Sequence, residues 1–190
     1  SALLVGLLTL WWFLLVDPML YLLQAGAGIF LQIEKSASGD WTVQVPLETI
    51  LPATPQQPVA RQLRSLQFDM ASSDAVTFTF SLPVYWAIIL AAPGGLKRKL
   101  RPLLLGSAVM ALVELALLLA FAYITALDGA SQMAGADDAA GKWLRHLGVY
   151  LVASVLPYVG PFVVALSFHR ELRQQVFAVG SGVGRRVKGY

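Results

Sequence analysis

Hydrophobic positions along this chain fall into four long runs, interrupted by one stretch that alternates and by short polar connections. Ala2 to Leu31 is apolar apart from Thr9, Asp17 and Gln24. Ala75 to Leu96, Pro102 to Leu127 and Leu147 to Phe168 follow, each near the roughly 20 apolar residues a helix needs to cross hydrocarbon. As one helix the first run would reach about 45 Å at 1.5 Å per residue. Asp17-Pro18 interrupts it, because Asp is a favoured helix cap and Pro a favoured first helical residue. Two arrangements follow: one span kinked at 17–18, or a span ending near Val16 with a second helix along the outer surface from Pro18.

From Ile29 to Met70 the period changes to two, the period of strands. Trp41, Val43, Val45 and Leu47 alternate with Thr42, Gln44, Pro46 and Glu48, and Leu66, Phe68 and Met70 alternate with Gln67 and Asp69. Pro52, Pro55 and Pro58 between these runs forbid a helix and favour an extended connection. A β-layer of two or three strands is predicted, too small for a core of its own and therefore laid on the helices or on a partner. Val76 to Phe80 admits an extended start before Pro83, and Pro93-Gly94-Gly95 stops the second span. Pro102 is expected in the first turn of the third span. Asp128 to Gly141, rich in Gly, Ala and Asp, reads as an aperiodic loop, and Pro157, Gly160 and Pro161 bend the fourth span.

Charge orients these elements. Lys97, Arg98, Lys99 and Arg101 fall within five residues between the second and third runs, and four positive charges cannot sit in hydrocarbon. They are read as a basic turn at the cytoplasmic face. With Arg170, Arg173, Arg185, Arg186 and Lys188 in the tail they make nine of the fourteen basic residues. Eight of the eleven acids, Glu34, Asp40, Glu48, Asp69, Asp74, Asp128, Asp137 and Asp138, lie in the other two connections. The fold class expected is therefore a mainly α membrane protein with four transmembrane helices and a small extracytoplasmic β-layer between the first and second. The segments are 1–30, 31–74, 75–168 and a basic cytoplasmic tail, 169–190. At 57% hydrophobic and 13% charged residues, the composition lies far from the roughly 25% charge of soluble domains. The first run is much longer than a signal-peptide core and is expected to be retained, with a few residues preceding Ser1.

Candidate chemistry is sparse. The chain has no cysteine, hence no disulfide and no thiolate nucleophile. His146 and His169 are assigned to opposite faces, no catalytic triad or paired-carboxylate spacing appears, and no catalytic, cofactor or metal residues are proposed. Gly180, Gly182 and Gly184 lack the strand and helix of a phosphate loop and read as a flexible basic tail touching anionic headgroups. Trp11, Trp12, Phe13, Tyr85 and Trp86 suit a pigment, quinone or lipid, but packing between helices is the commoner use of such rings. Asp17 and Glu114 are the exceptions, because an ionisable residue inside a span is costly. Both are candidate intramembrane polar contacts at similar depth. Asp17 has a local alternative as a cap; Glu114 has none and is expected to face another helix.

Two stretches carry a likeness. Leu10-Trp11-Trp12-Phe13 and Phe80-Ser81-Leu82-Pro83-Val84-Tyr85-Trp86-Ala87-Ile88-Ile89-Leu90-Ala91-Ala92-Pro93-Gly94, together with the order of the four spans, resemble the exosortase-associated small integral membrane proteins, the companions of the H-type exosortase. The resemblance implies a non-catalytic accessory or scaffold whose partner is another integral membrane protein, an exosortase of a bacterial inner membrane; the charge distribution places both termini in the cytoplasm and the basic tail at anionic lipid headgroups, and no nucleic-acid partner is expected. A peripheral subunit of a photosynthetic or respiratory electron-transfer complex is the alternative, and a carrier using Asp17 and Glu114 a third. The charge asymmetry sets the first test. Cysteines placed at Lys99 and Gly182 should resist an impermeant thiol reagent in intact cells, whereas those at Gly39 and Gly135 should react; labelling at Lys99 would reverse the orientation.

Overall fold

The computed structural model describes residues 14, 16–36, 38–51, 60–92, 94–135, 139–170, 172–174 and 176. The fold is mostly helical, with one three-stranded sheet. In chain order the elements are α1 (Asp17–Ala27), β1 (Gln32–Lys35), β2 (Trp41–Leu51), β3 (Arg61–Met70), α2 (Ser72–Thr77), α3 (Ser81–Ala91), α4 (Leu96–Met133), α5 (Ala139–Tyr150), a π-helical turn (Leu151–Val155) and α6 (Leu156–Phe168). Three stretches, Ser72–Ala91, Leu96–Met133 and Ala139–Phe168, are long and apolar enough to cross a membrane. Of the first apolar run, Ala2 to Phe13 and Leu15, and with them the Trp11-Trp12-Phe13 cluster, lie outside the described residues.

The alternation seen in the sequence becomes an antiparallel ladder in the order β1-β2-β3. Trp41 faces Met70, Val43 faces Phe68 and Val45 faces Leu66. Trp41, Val43, Val45, Leu66 and Met70 are buried in one cluster with Met19, Leu23 and Ala27 of α1 and Leu118, Ala122 and Ala126 of α4. The opposite face is polar. There the Thr42 hydroxyl donates to Asp69 Oδ1 at 2.9 Å, and the Gln44 amide donates to Ser65 Oγ at 2.8 Å. Pro46 cannot donate to a ladder, and it sits where the register shifts between Pro46 and Thr49, past the last β1 partner at Gln44.

Gly39 closes the β1–β2 hairpin with φ +92°, a backbone state that side chains avoid. Asp40 beside it accepts from the Ser38 hydroxyl at 2.8 Å and the Ser72 amide at 3.1 Å, tying the hairpin to α2. The Ser38 hydrogen bond, helped by the Ser72 amide, holds the Asp40 carboxyl below its usual range.

Helix α4 joins everything. Its 38 residues span about 57 Å. Its buried positions include Pro102, Gly106, Met110, Glu114, Leu118, Ala122, Ala126 and Ala130, spaced by four. Four residues turn a helix by about 40° more than a full circle, so this stripe winds around α4 as it rises. Its lower part faces the cluster of Tyr85, Ile89, Met110, Val164 and Ala165; its upper part faces α1 and the sheet.

Several expectations are corrected. Lys97, Arg98, Lys99 and Arg101 are not in a loop but in the first turns of α4, and Pro102 lies inside that helix. The turn itself is short, and Gly94 holds its φ of +111°. Long basic side chains can carry charge away while their backbone stays helical, so charge alone did not end the helix. Val76 to Phe80 is not extended: α2 runs to Thr77 and a tight turn follows. The stretch from Asp128 is helical through Met133, and helix resumes at Ala139. Asp17 is the first residue of α1 rather than its cap, since Val16 before it already has helical φ and ψ.

The π turn has a local cause. Pro157 offers no N–H to the Ala153 carbonyl, and the ladder shifts, with Leu156 N–H donating back to the Leu151 carbonyl. Replacing Trp41 by Ala empties the largest buried position on the sheet and is expected to destabilise by about 3–5 kcal/mol. Protease cleavage within residues 32–70 of the purified protein should quicken accordingly; cleavage at the wild-type rate would mean that this face does not hold the sheet.

Candidate functional site at the α3–α4 interface

The polar site is built around a broken helix. Pro83 would clash with the carbonyl of Thr79 in a continuous helix, so α2 and α3 are separated by the turn Phe78–Phe80. Phe80 is the residue at the cap position of α3 and has no side chain able to cap it. The first amides of α3 are therefore orphaned, which is expensive away from water.

Glu114 of α4 supplies the missing acceptor. Its Oε1 accepts from the Leu82 amide at 3.0 Å and from the Ser81 hydroxyl. Glu114 is 0% exposed, and its Oε2 has no hydrogen-bond partner among the described residues. A carboxyl from one helix thus caps another, at the end where the helix dipole favours negative charge.

Further contacts run along the same interface towards the basic end. Tyr85 Oη donates to the Pro102 carbonyl. Gly106 makes that possible, since a Cβ there would lie 1.7 Å from Tyr85 Oη. The Trp86 indole donates to Ser107 Oγ at 2.8 Å, and Ser107 Oγ donates to the Leu103 carbonyl at 2.6 Å. Lys99 Nζ donates at 2.7 Å to the Leu90 carbonyl in the last turn of α3, where a cation complements the dipole. Successive groups on α3 therefore find partners at successive levels of α4.

Glu114 is buried against another helix of its own chain. Asp17 is not brought near it: it is exposed and lines a cleft of about 520 Å3 with Lys35, Trp41 and Ser72. His146 Nδ1 pairs with the Lys142 carbonyl, whereas His169 is buried and accepts from the Leu172 amide at 3.1 Å. Among the described residues no group of three acids or histidines is placed to hold a metal ion. Gly180, Gly182 and Gly184 lie outside the described residues. The interface's Gly106 and Ser107 were not singled out by sequence; the four-residue spacing of Pro102, Gly106, Met110 and Glu114 is a signal that carries Gly106, whereas Ser107 falls outside it. No family model matches this chain, and neither a curated protein nor a solved structure matches it.

The chemistry of this site is that of a latch. Glu114→Gln keeps an oxygen for the Leu82 amide and the Ser81 hydroxyl and should leave heat stability in detergent near wild type. Glu114→Leu orphans both donors, at about 1–3 kcal/mol, and Gly106→Ala overpacks Tyr85, by a similar 1–3 kcal/mol. A Leu variant as heat-resistant as wild type would remove the latch.

Proposed function

We propose that this chain is a non-catalytic accessory or scaffold protein of a bacterial inner membrane, which holds a small extracytoplasmic sheet in fixed relation to its membrane helices for another integral membrane protein to dock on. In this reading the first apolar run supplies a fourth span, the basic first turns of α4 lie at the cytoplasmic surface near anionic headgroups, and both termini are cytoplasmic. The partner suggested by the likeness of Phe80 to Gly94 is an exosortase-type sorting enzyme.

One observation supports this most. The sheet buries one face in the same cluster as α1 and α4, while its other face carries Thr42, Gln44, Gln67 and Asp69. The packed face fixes the sheet on α1 and α4 and leaves the polar face outward for a partner to meet.

Purification in a gentle detergent after photo-crosslinking tests it. A crosslinker at Gln67 should capture one integral membrane partner, and one at Leu112, an exposed apolar position midway along α4, should not. A pigment or haem complex co-purifying instead would support a subunit of an electron-transfer assembly, and purification as a lone monomer would defeat the scaffold reading.

A further inference from the structure

Two clefts meet at Phe121 of α4. One, of about 390 Å3, is lined by Asp74, Phe78, Phe121, Ala153, Ser154 and Tyr158. The other, of about 320 Å3, is lined by Phe121, Asp128, Arg145, His146 and Val149. Val149 and Ala153 are four residues apart on one helical rod and share a face, so the clefts form one groove beside α4.

On one side of Phe121 the groove holds the Arg145–Asp128 ion pair, and on the other the Asp74 carboxylate. Arg145 Nε donates to Asp128 Oδ1 at 3.0 Å, and its remaining guanidinium nitrogens have no partner among the described residues. Asp74 on the other side is exposed and has no cationic partner among the described residues. The half-buried Phe121 lines the same cleft as Asp74 and packs on the buried Phe78, ring centroids 5.7 Å apart. The Ser154 and Tyr158 hydroxyls likewise have no hydrogen bond among the described residues, and both are exposed. Phe162, one turn beyond Tyr158 on α6, continues this face and is exposed, with the exposed Val159 and Val163 beside it forming an apolar wall.

We propose that this groove seats one phospholipid with an ethanolamine headgroup. The ammonium lies between the Asp74 carboxylate and the half-buried ring of Phe121, combining charge pairing with cation–π attraction. The phosphate turns towards Arg145, whose guanidinium offers a planar set of donors. The glycerol esters meet the Ser154 and Tyr158 hydroxyls, and an acyl chain follows the apolar wall of α6. Of the three charges, Arg145 offers its remaining donors to the phosphate of any phospholipid, whereas Asp74 selects the amine and, with Asp128, repels an anionic head. The inference rests on the reading that these helices cross a bilayer, but not on any protein partner.

The test is reconstitution of the full chain with equal parts of phosphatidylethanolamine, phosphatidylcholine and phosphatidylglycerol, re-extraction in mild detergent, and mass spectrometry of the lipid retained. The ethanolamine lipid should be enriched about threefold over the other two, the size expected of one exposed charge pair. Asp74→Asn should return its ratio to the bulk value, and Arg145→Gln should lower total retention. Asp128→Asn breaks the same ion pair as Arg145→Gln but leaves the guanidinium, and should retain the lipid. Bulk lipid ratios in the wild type, a preference for phosphatidylglycerol, or an enrichment unchanged in Asp74→Asn would each overturn the site. A chain that is recovered from membranes without detergent would instead defeat the bilayer placement itself.

Discussion

A helix that starts inside an apolar environment must find acceptors for its first amides, and here a carboxyl on the neighbouring helix provides one. Pro83 breaks α2 from α3, Phe80 cannot cap the break, and Glu114 Oε1 takes both the Leu82 amide and the Ser81 hydroxyl. The arrangement fixes the register of α3 on α4, because sliding by one turn would strand the amide and the carboxyl together. Tyr85 at Pro102 and Trp86 at Ser107 then fall into place along the same line. Breaking and capping are therefore one device, and neither makes sense without the other.

Register at this interface also decides where the sheet goes. The buried stripe of α4 passes from Met110 in the Tyr85 cluster, through Glu114, to Leu118 and Ala122 beneath the sheet. Its small members, Gly106, Ala122, Ala126 and Ala130, let neighbouring elements come close, a habit of helices packed in lipid. Gly26 of α1 likewise lies against Leu115, with room for no more than a strained Cβ, so α1 sits close against α4 in the cluster they share with the sheet.

Period and charge made part of this legible. Alternation at Trp41, Val43 and Val45 named the buried face of the sheet, and the long apolar runs named the three helices able to cross a membrane. Two features hid the rest. Val76 to Phe80, β-branched and aromatic, carries strand propensity, yet Phe78 packs on Phe121 and tertiary contact overrides it. Four adjacent charges suggest a loop, whereas the backbone through Lys97 and Arg101 remains helical and Lys99 binds the end of α3. Glu114 stood out as a lone acid in an apolar run, but its partners, an amide and a serine 32 and 33 residues earlier, belong to backbone geometry that no local pattern encodes.

The winding of that stripe has a mechanical meaning. One rod carries a polar clasp midway along its length and a β-layer near its far end, on sides of the rod that differ by a large turn. Twisting the rod about its axis loads both attachments at once, so torque applied to the sheet is felt at Glu114 without any hinge between them. Clasp and sheet share one axle, because the same unbroken helix carries the contacts of both.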